Sequence, residues 1–134
     1  MVTCLTCLTG TNCSSCNTSN FREFNNATDQ CDPITGYYES GVAEAFPCEI
    51  GCILCTNGSF CLECDNSTNR VLSNGSCVAA EGFYTINGTV TAQPCSSLCL
   101  TCVNTADFCL SCNASLNREL NSSNASCDPM PGYY

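Results

Sequence analysis

The chain of 134 residues has no histidine, no tryptophan and no lysine, and its only cations are Arg22, Arg70 and Arg118. Each absence removes a class of function. Without an imidazole to act as base, Cys-His and Ser-His-Asp arrangements are excluded. Three isolated arginines against a net charge of −9 cannot neutralise a run of phosphates, which argues against a nucleic-acid partner. No apolar run approaches the ~18 residues of a membrane-spanning helix, so no membrane span is expected in this segment, and no secretory pattern follows Met1. The acidity itself reads as a solvated, self-repelling surface.

What the chain has in excess is cysteine: 17 residues, about 13%, beyond the ~8–10% that marks a disulfide scaffold. Their spacing is one pattern written almost three times. The second copy runs Cys48, Cys52, Cys55, Cys61, Cys64, Cys77 and the third Cys95, Cys99, Cys102, Cys109, Cys112, Cys127. The first runs Cys4, Cys7, Cys13, Cys16, Cys31 and lacks the leading cysteine. Other residues keep the register. Each arginine lies six positions after the fifth cysteine of its copy, and Phe24, Leu72 and Leu120 lie two further on. Gly36-Tyr37-Tyr38, Gly82-Phe83-Tyr84 and Gly132-Tyr133-Tyr134 follow the sixth cysteine, and Pro47-Cys48 and Pro94-Cys95 open the next copy. The period of about 47 residues predicts three units, 1–47, 48–94 and 95–134. Both ends break inside the pattern, so the expectation is a window on a longer array whose targeting and anchoring parts lie elsewhere, or a subunit of a head-to-tail filament.

Disulfides persist in oxidising compartments, which points outside the cell. The sequon Asn-x-Ser/Thr agrees, occurring at Asn12, Asn17, Asn26, Asn57, Asn66, Asn74, Asn87, Asn113, Asn121 and Asn124. Ten of the 15 asparagines qualify, where chance would give about three, so a glycosylated surface is predicted. Asn12, with a cysteine inside its sequon, and the close pair Asn121 and Asn124 are the poorest acceptors. Covalent N-linked glycans are the only non-protein groups expected, with no cofactor.

A unit of this size cannot bury enough apolar surface to fold on a core alone, so the cross-links must supply the order. Six cysteines allow about fifteen pairings, and spacing does not choose among them. The paired CxxC motifs have zinc-like spacing, but the sequons, the missing histidine and the two extra cysteines per copy argue against a metal site. Redox catalysis needs one reactive pair on a βαβ scaffold, not six pairs without one. Asp32 and Asp128, between a cysteine and a proline, read as turn residues and not as a calcium cage. No catalytic set emerges. The recurrent aromatics are expected to cover bridges and to form the joint between copies, and each arginine to make a surface or joint ion pair.

Locally the chain predicts short strands and turns with little or no helix. Tyr84-Thr85-Ile86, Asn87-Gly88 and Thr89-Val90-Thr91 form a hairpin signal with a type I′ turn, mirrored by 37–43 in the first copy. Strand alternation puts Arg70 and Leu72 on one face. The copies are expected to stack as a thin rod.

The run C-x3-C-x2-C-x5-C-x2-C from Cys48 to Cys64, the 12-residue loop to Cys77 and the following Gly-Phe-Tyr resemble the furin-like cysteine-rich repeat of growth-factor-receptor ectodomains and R-spondins. The likeness covers essentially the whole chain. It implies a small disulfide-rich fold of tandem repeats with first-to-third, second-to-fourth and fifth-to-sixth bridges. These would be Cys48 with Cys55, Cys52 with Cys61, Cys64 with Cys77, Cys95 with Cys102, Cys99 with Cys109, Cys112 with Cys127, Cys4 with Cys13 and Cys16 with Cys31. Cys7 is left unpaired within the chain, to join an upstream cysteine or another subunit. The composition also resembles the repetitive cysteine-rich surface glycoproteins of protists. Together these likenesses imply a secreted or cell-surface, non-enzymatic structural glycoprotein forming a rod, coat or fibre, with copies of itself or further repeats as partners. The reading from another class is a ligand-binding receptor ectodomain or surface antigen segment that recognises a protein ligand.

Overall fold

The computed structural model describes residues 4–134 and, among them, contains no α-helix: sixteen short strands alternate with three single 3-10 turns. Every strand pairs with one neighbour only, giving two-stranded hairpins. In the first copy these are β1 (Cys4–Cys7) with β2 (Cys13–Cys16), β3 (Arg22–Asn25) with β4 (Gln30–Pro33), and the two-residue strands β5 (Tyr37–Tyr38) and β6 (Phe46–Pro47). The second copy repeats the order with β7 (Cys52–Asn57) and β8 (Phe60–Cys64), β9 (Arg70–Ser73) and β10 (Ser76–Ala79), and β11 (Phe83–Tyr84) and β12 (Gln93–Pro94). The third has β13 (Cys99–Cys102) with β14 (Cys109–Cys112) and β15 (Arg118–Asn121) with β16 (Ser126–Pro129).

Isolated hairpins of this size are marginal in water, and here bridges hold them. In the first hairpin of each copy the register sets cysteine opposite cysteine, as Cys52↔Cys64 and Cys55↔Cys61, with a bulge between them. The cysteines that face each other do not bond to each other. Cys52 bonds to Cys61 and Cys64 reaches out of the hairpin to Cys77, so the bridges run diagonally and tie one hairpin to the next. The buried interior is accordingly sulfur: apart from Ala45, Ala92 and Ala125, the buried apolar residues are cysteines. Tyr38 packs on the cluster of Cys52, Cys55, Cys61, Cys64 and Cys77, and Tyr84 on that of Cys99, Cys102, Cys109 and Cys127. An aromatic residue of one copy thus covers the bridges of the next.

The 3-10 turns, Thr18–Asn20, Asn66–Thr68 and Ala114–Leu116, steer the chain from the fifth cysteine into the arginine strand. Each is capped by a short polar side chain, Asn17, Asp65 or Asn113, that accepts the amide two residues on, which is why these residue types stand there. Each ends in a left-handed residue, Phe21, Asn69 or Asn117. Asparagine tolerates that conformation; Phe21 holds it while stacked on Tyr37 with ring centroids 4.6 Å apart.

The chain forms two compact units, Met1–Cys64 with Leu72–Cys77, and Asp65–Val71 with Val78–Tyr134. The division runs through the β9–β10 hairpin. Cys77 bridges to Cys64 and its amide donates to Glu49 Oε1 at 2.7 Å, whereas Arg70 bonds the loop of residues 85–90.

Two local expectations are corrected. The stretch 84–91 is not a continuous hairpin: pairing is confined to Phe83↔Pro94 and Tyr84↔Gln93. The turn from Ile86 to Thr89 is left-handed only at Gly88, so it is not type I′, and the carbonyls of Thr89 and Val90 are taken by Arg70. Asp32 and Asp128 lie in strands β4 and β16, opposite Glu23 and Glu119, not in turns. Arg70 is buried while Leu72 is half exposed, because the 85–92 loop covers only the arginine end of the strand.

Candidate functional sites: arginine clamps and glycan acceptors

Sixteen cysteines form eight bridges: Cys4–Cys13, Cys16–Cys31, Cys48–Cys55, Cys52–Cys61, Cys64–Cys77, Cys95–Cys102, Cys99–Cys109 and Cys112–Cys127. Cys7 is an exposed free thiol. Triples of sulfur atoms gather within 4.8 Å, for example Cys52, Cys61 and Cys77, or Cys99, Cys109 and Cys127. Every one of these atoms belongs to a bridge. A metal ligand must be a thiolate, so these clusters are stacked disulfides and not ligand sets. The described residues enclose no pocket.

The polar chemistry of the molecule concentrates on the arginines. Arg22 is 1% exposed, and all five of its N–H donors are used. Nε donates to Ala43 O at 2.8 Å, Nη1 to Cys31 O at 3.0 Å and Nη2 to Val42 O at 3.1 Å. The remaining two donors hold both carboxylate oxygens of Glu39 at 2.8 Å. Glu39 is pushed down to about 2, first by that hydrogen-bonded guanidinium and then by the Gly41 amide, and Arg22 is raised in return. The Glu39 side chain remains 59% exposed, so the pair is half in water.

Arg70 repeats the grip in the second unit. Its Nε donates to Val90 O, its Nη2 to Thr89 O and its Nη1 to the Thr85 hydroxyl. In both copies the residue two after the Nε acceptor is a buried alanine, Ala45 or Ala92. Its amide donates back to the 3-10 turn, at Asn20 O (3.0 Å) or Thr68 O (2.9 Å). The clamp therefore fastens the loop that leads out of the first copy and of the second. Only the register of the arginines foretold it: no acidic residue recurs with them, which leaves main-chain carbonyls as the common acceptors.

None of the ten sequon asparagines is buried. Asn26, Asn57, Asn66, Asn74, Asn87 and Asn124 are exposed on turns and strand ends, and Asn12, Asn17, Asn113 and Asn121 are partly covered. Asn17, Asn57, Asn113, Asn121 and Asn124 accept the amide of their own sequon serine, an Asx turn. Asn12 and Asn121 donate Nδ2 to Asp29 and Asp128, so the nitrogen to which a glycan would be joined is already engaged. The Asn121 bond, then that from Ser126, holds Asp128 below the usual carboxylate range. In the second copy Asp65 takes the capping place of Asn17 and Asn113, and the sequon moves one residue on to Asn66.

Among the described residues, no helix is long and apolar enough to cross a membrane. Compared with known proteins, the chain matches no family model, no curated protein and no solved structure.

Proposed function

We propose that this chain works as an extracellular structural glycoprotein, secreted or held at a cell surface, whose cysteine-rich repeats build a coat or fibre and catalyse nothing. The observation that carries the reading is the pairing of a sulfur interior with a surface on which all ten sequon asparagines escape burial. Bridges of this density keep their form only in an oxidising compartment, and sugars on both the 3-10 turns and the hairpin turns would cover the strands from proteases. Such a surface suits persistence and exposure.

The test is intact-mass measurement of the protein from a glycosylating secretory host, before and after enzymatic removal of N-glycans. Several glycans per chain are expected, on Asn26, Asn57, Asn66, Asn74 and Asn87 before Asn12 and Asn121. A mass equal to the bare polypeptide would remove the main support for a coat. Electron microscopy of the assembled glycoprotein adds a second readout: filaments or a continuous layer are expected, and discrete complexes with one partner would favour the receptor reading.

A further inference from the structure

In every copy the amide of one cysteine in the first hairpin closes on the turn of the arginine hairpin. Cys61 N donates to Gly75 O at 2.6 Å, Cys109 N to Ala125 O at 2.7 Å and Cys13 N to Asp29 O at 2.8 Å. Each acceptor lies two residues before the sixth cysteine and is left-handed, with φ 81°, 54° and 51°. The residue that precedes the donating cysteine is thereby brought to the turn. In the second and third copies that residue is Phe60 or Phe108, each 48% exposed. There the acceptor is the middle residue of a sequon, Asn74-Gly75-Ser76 or Asn124-Ala125-Ser126. In the first copy the preceding residue is Asn12, and Thr28 stands where the sequon asparagine would be. Ring and sequon are present together and absent together.

We propose that Phe60 and Phe108 are sugar seats, each ring stacking on the apolar face of the first N-acetylglucosamine of the glycan on Asn74 or Asn124. The inference rests on the glycoprotein reading and says where its sugars lie. The Phe60 ring already lies on the turn: its Cε2 and Cδ2 are 2.6 and 2.7 Å from where a Cβ on Gly75 would stand, so the sequon glycine makes the space that the ring occupies. Asn74 and Asn124 are exposed, and among the described residues the Nδ2 of neither makes a hydrogen bond, in contrast to those of Asn12 and Asn121. The face of an aromatic ring is the negative part of its quadrupole, and the C–H bonds lining one face of a pyranose carry the complementary charge. Between separate molecules such a contact is weak. A sugar joined to the adjoining turn meets the ring intramolecularly, which raises its effective concentration there. Asn57, opposite Phe60 in the β7–β8 ladder, is the rival acceptor. The third copy favours Asn74, because it keeps Phe108 and Asn124 and has no sequon between Cys102 and Cys109.

The probe is the intact glycoprotein, secreted with isotope-labelled N-acetylglucosamine and trimmed by an endoglycosidase to the first sugar on each asparagine. Mass spectrometry reads which sites are loaded, and NMR reads the sugar C–H signals, assigned with Asn74→Gln and Asn124→Gln. Ring-current shielding should move the signals at Asn74 and Asn124 upfield of those at Asn66 and Asn87. Phe60→Leu should return the Asn74 signals to the range of Asn66 and leave Asn124 shifted, while Phe60→Tyr should keep the shift. Phe108→Leu should act on Asn124 alone. Sugars at Asn74 and Asn124 without the shift, a shift that survives Phe60→Leu, or a shift at Asn57 in place of Asn74 each overturn the seats. Bare Asn74 and Asn124 beside loaded sequons elsewhere overturn them too and leave the glycoprotein reading standing. A chain bare at every sequon overturns both.

Discussion

Replacing Arg22 with methionine keeps the aliphatic stem and deletes five donors at once. Removing one partner of a buried ionic cluster costs about 3–5 kcal/mol. The low end applies here, because the Glu39 carboxylate is 59% exposed and rehydrates when the clamp is lost. The bridges keep the hairpins in place, so the loss should appear as local opening of the 39–45 loop and not as global unfolding. About 3 kcal/mol at ~1.4 kcal/mol per decade is roughly a hundredfold in the opening equilibrium. The reporter is the Ala45 amide, which donates to Asn20 O at 3.0 Å and should exchange with solvent deuterium about a hundredfold faster in Arg22→Met. The Cys13 amide, bonded to Asp29 O inside the bridged part of the same unit, is the control and should not change. Ala45 protection within threefold of the parent protein, or equal loss at Cys13, would refute the clamp.

Glu39 is held at about 2 against an ordinary 4.5, so its contribution is complete above pH 4.5 and lost as pH falls through 2. Ala45 exchange, corrected for intrinsic rate, should therefore accelerate across that window, by less than ~1 kcal/mol for so exposed a carboxylate, and Glu39→Gln should flatten the profile. Arg70→Met should expose the Ala92 amide and leave Ala45 alone, since the two loops belong to different units; joint loss would show that the clamps are not independent. Non-reducing peptide mapping should find Cys64 with Cys77 and Cys112 with Cys127, and replacing both Cys64 and Cys77 by alanine should cost about 3 kcal/mol. A bond spanning two copies, such as Cys55 with Cys102, would contradict the fold. A thiol reagent on the isolated folded chain should label Cys7 alone, and labelling elsewhere would mean an open bridge.

The repeat was legible because cysteine spacing and the arginine and Gly-aromatic registers are set by one local geometry copied along the chain. The pairing was not legible from spacing: the register places Cys55 opposite Cys61, yet the bonds run to Cys48 and Cys52. Burial of Arg22 and Arg70 runs against hydropathy, and only the loop from about twenty residues downstream explains it. The same non-local grip defeated the Asn87-Gly88 hairpin signal, because turn chemistry is local and cannot register that Arg70 takes the carbonyls a ladder would need. Asp32 and Asp128 misled because proline after aspartate is a turn signal in general, whereas here Pro33 and Pro129 close two-stranded ribbons whose outer edge needs no amide donor.

Because Arg22 and Arg70 grip main-chain oxygens, the loops they fasten are free to drift. The first loop carries Glu-Ser-Gly-Val-Ala-Glu and the second Thr-Ile-Asn-Gly-Thr-Val-Thr, of different length, acidity and turn, yet both arrive at the same alanine, proline and cysteine. The extra residue of the second loop is taken up ahead of the gripped carbonyls, in the turn at Ile86–Thr89. A mutation in such a loop changes what a neighbouring molecule meets without changing how the loop is held. In the first two copies one arginine thus lets the outer face of the loop vary while the joint that follows stays as it was.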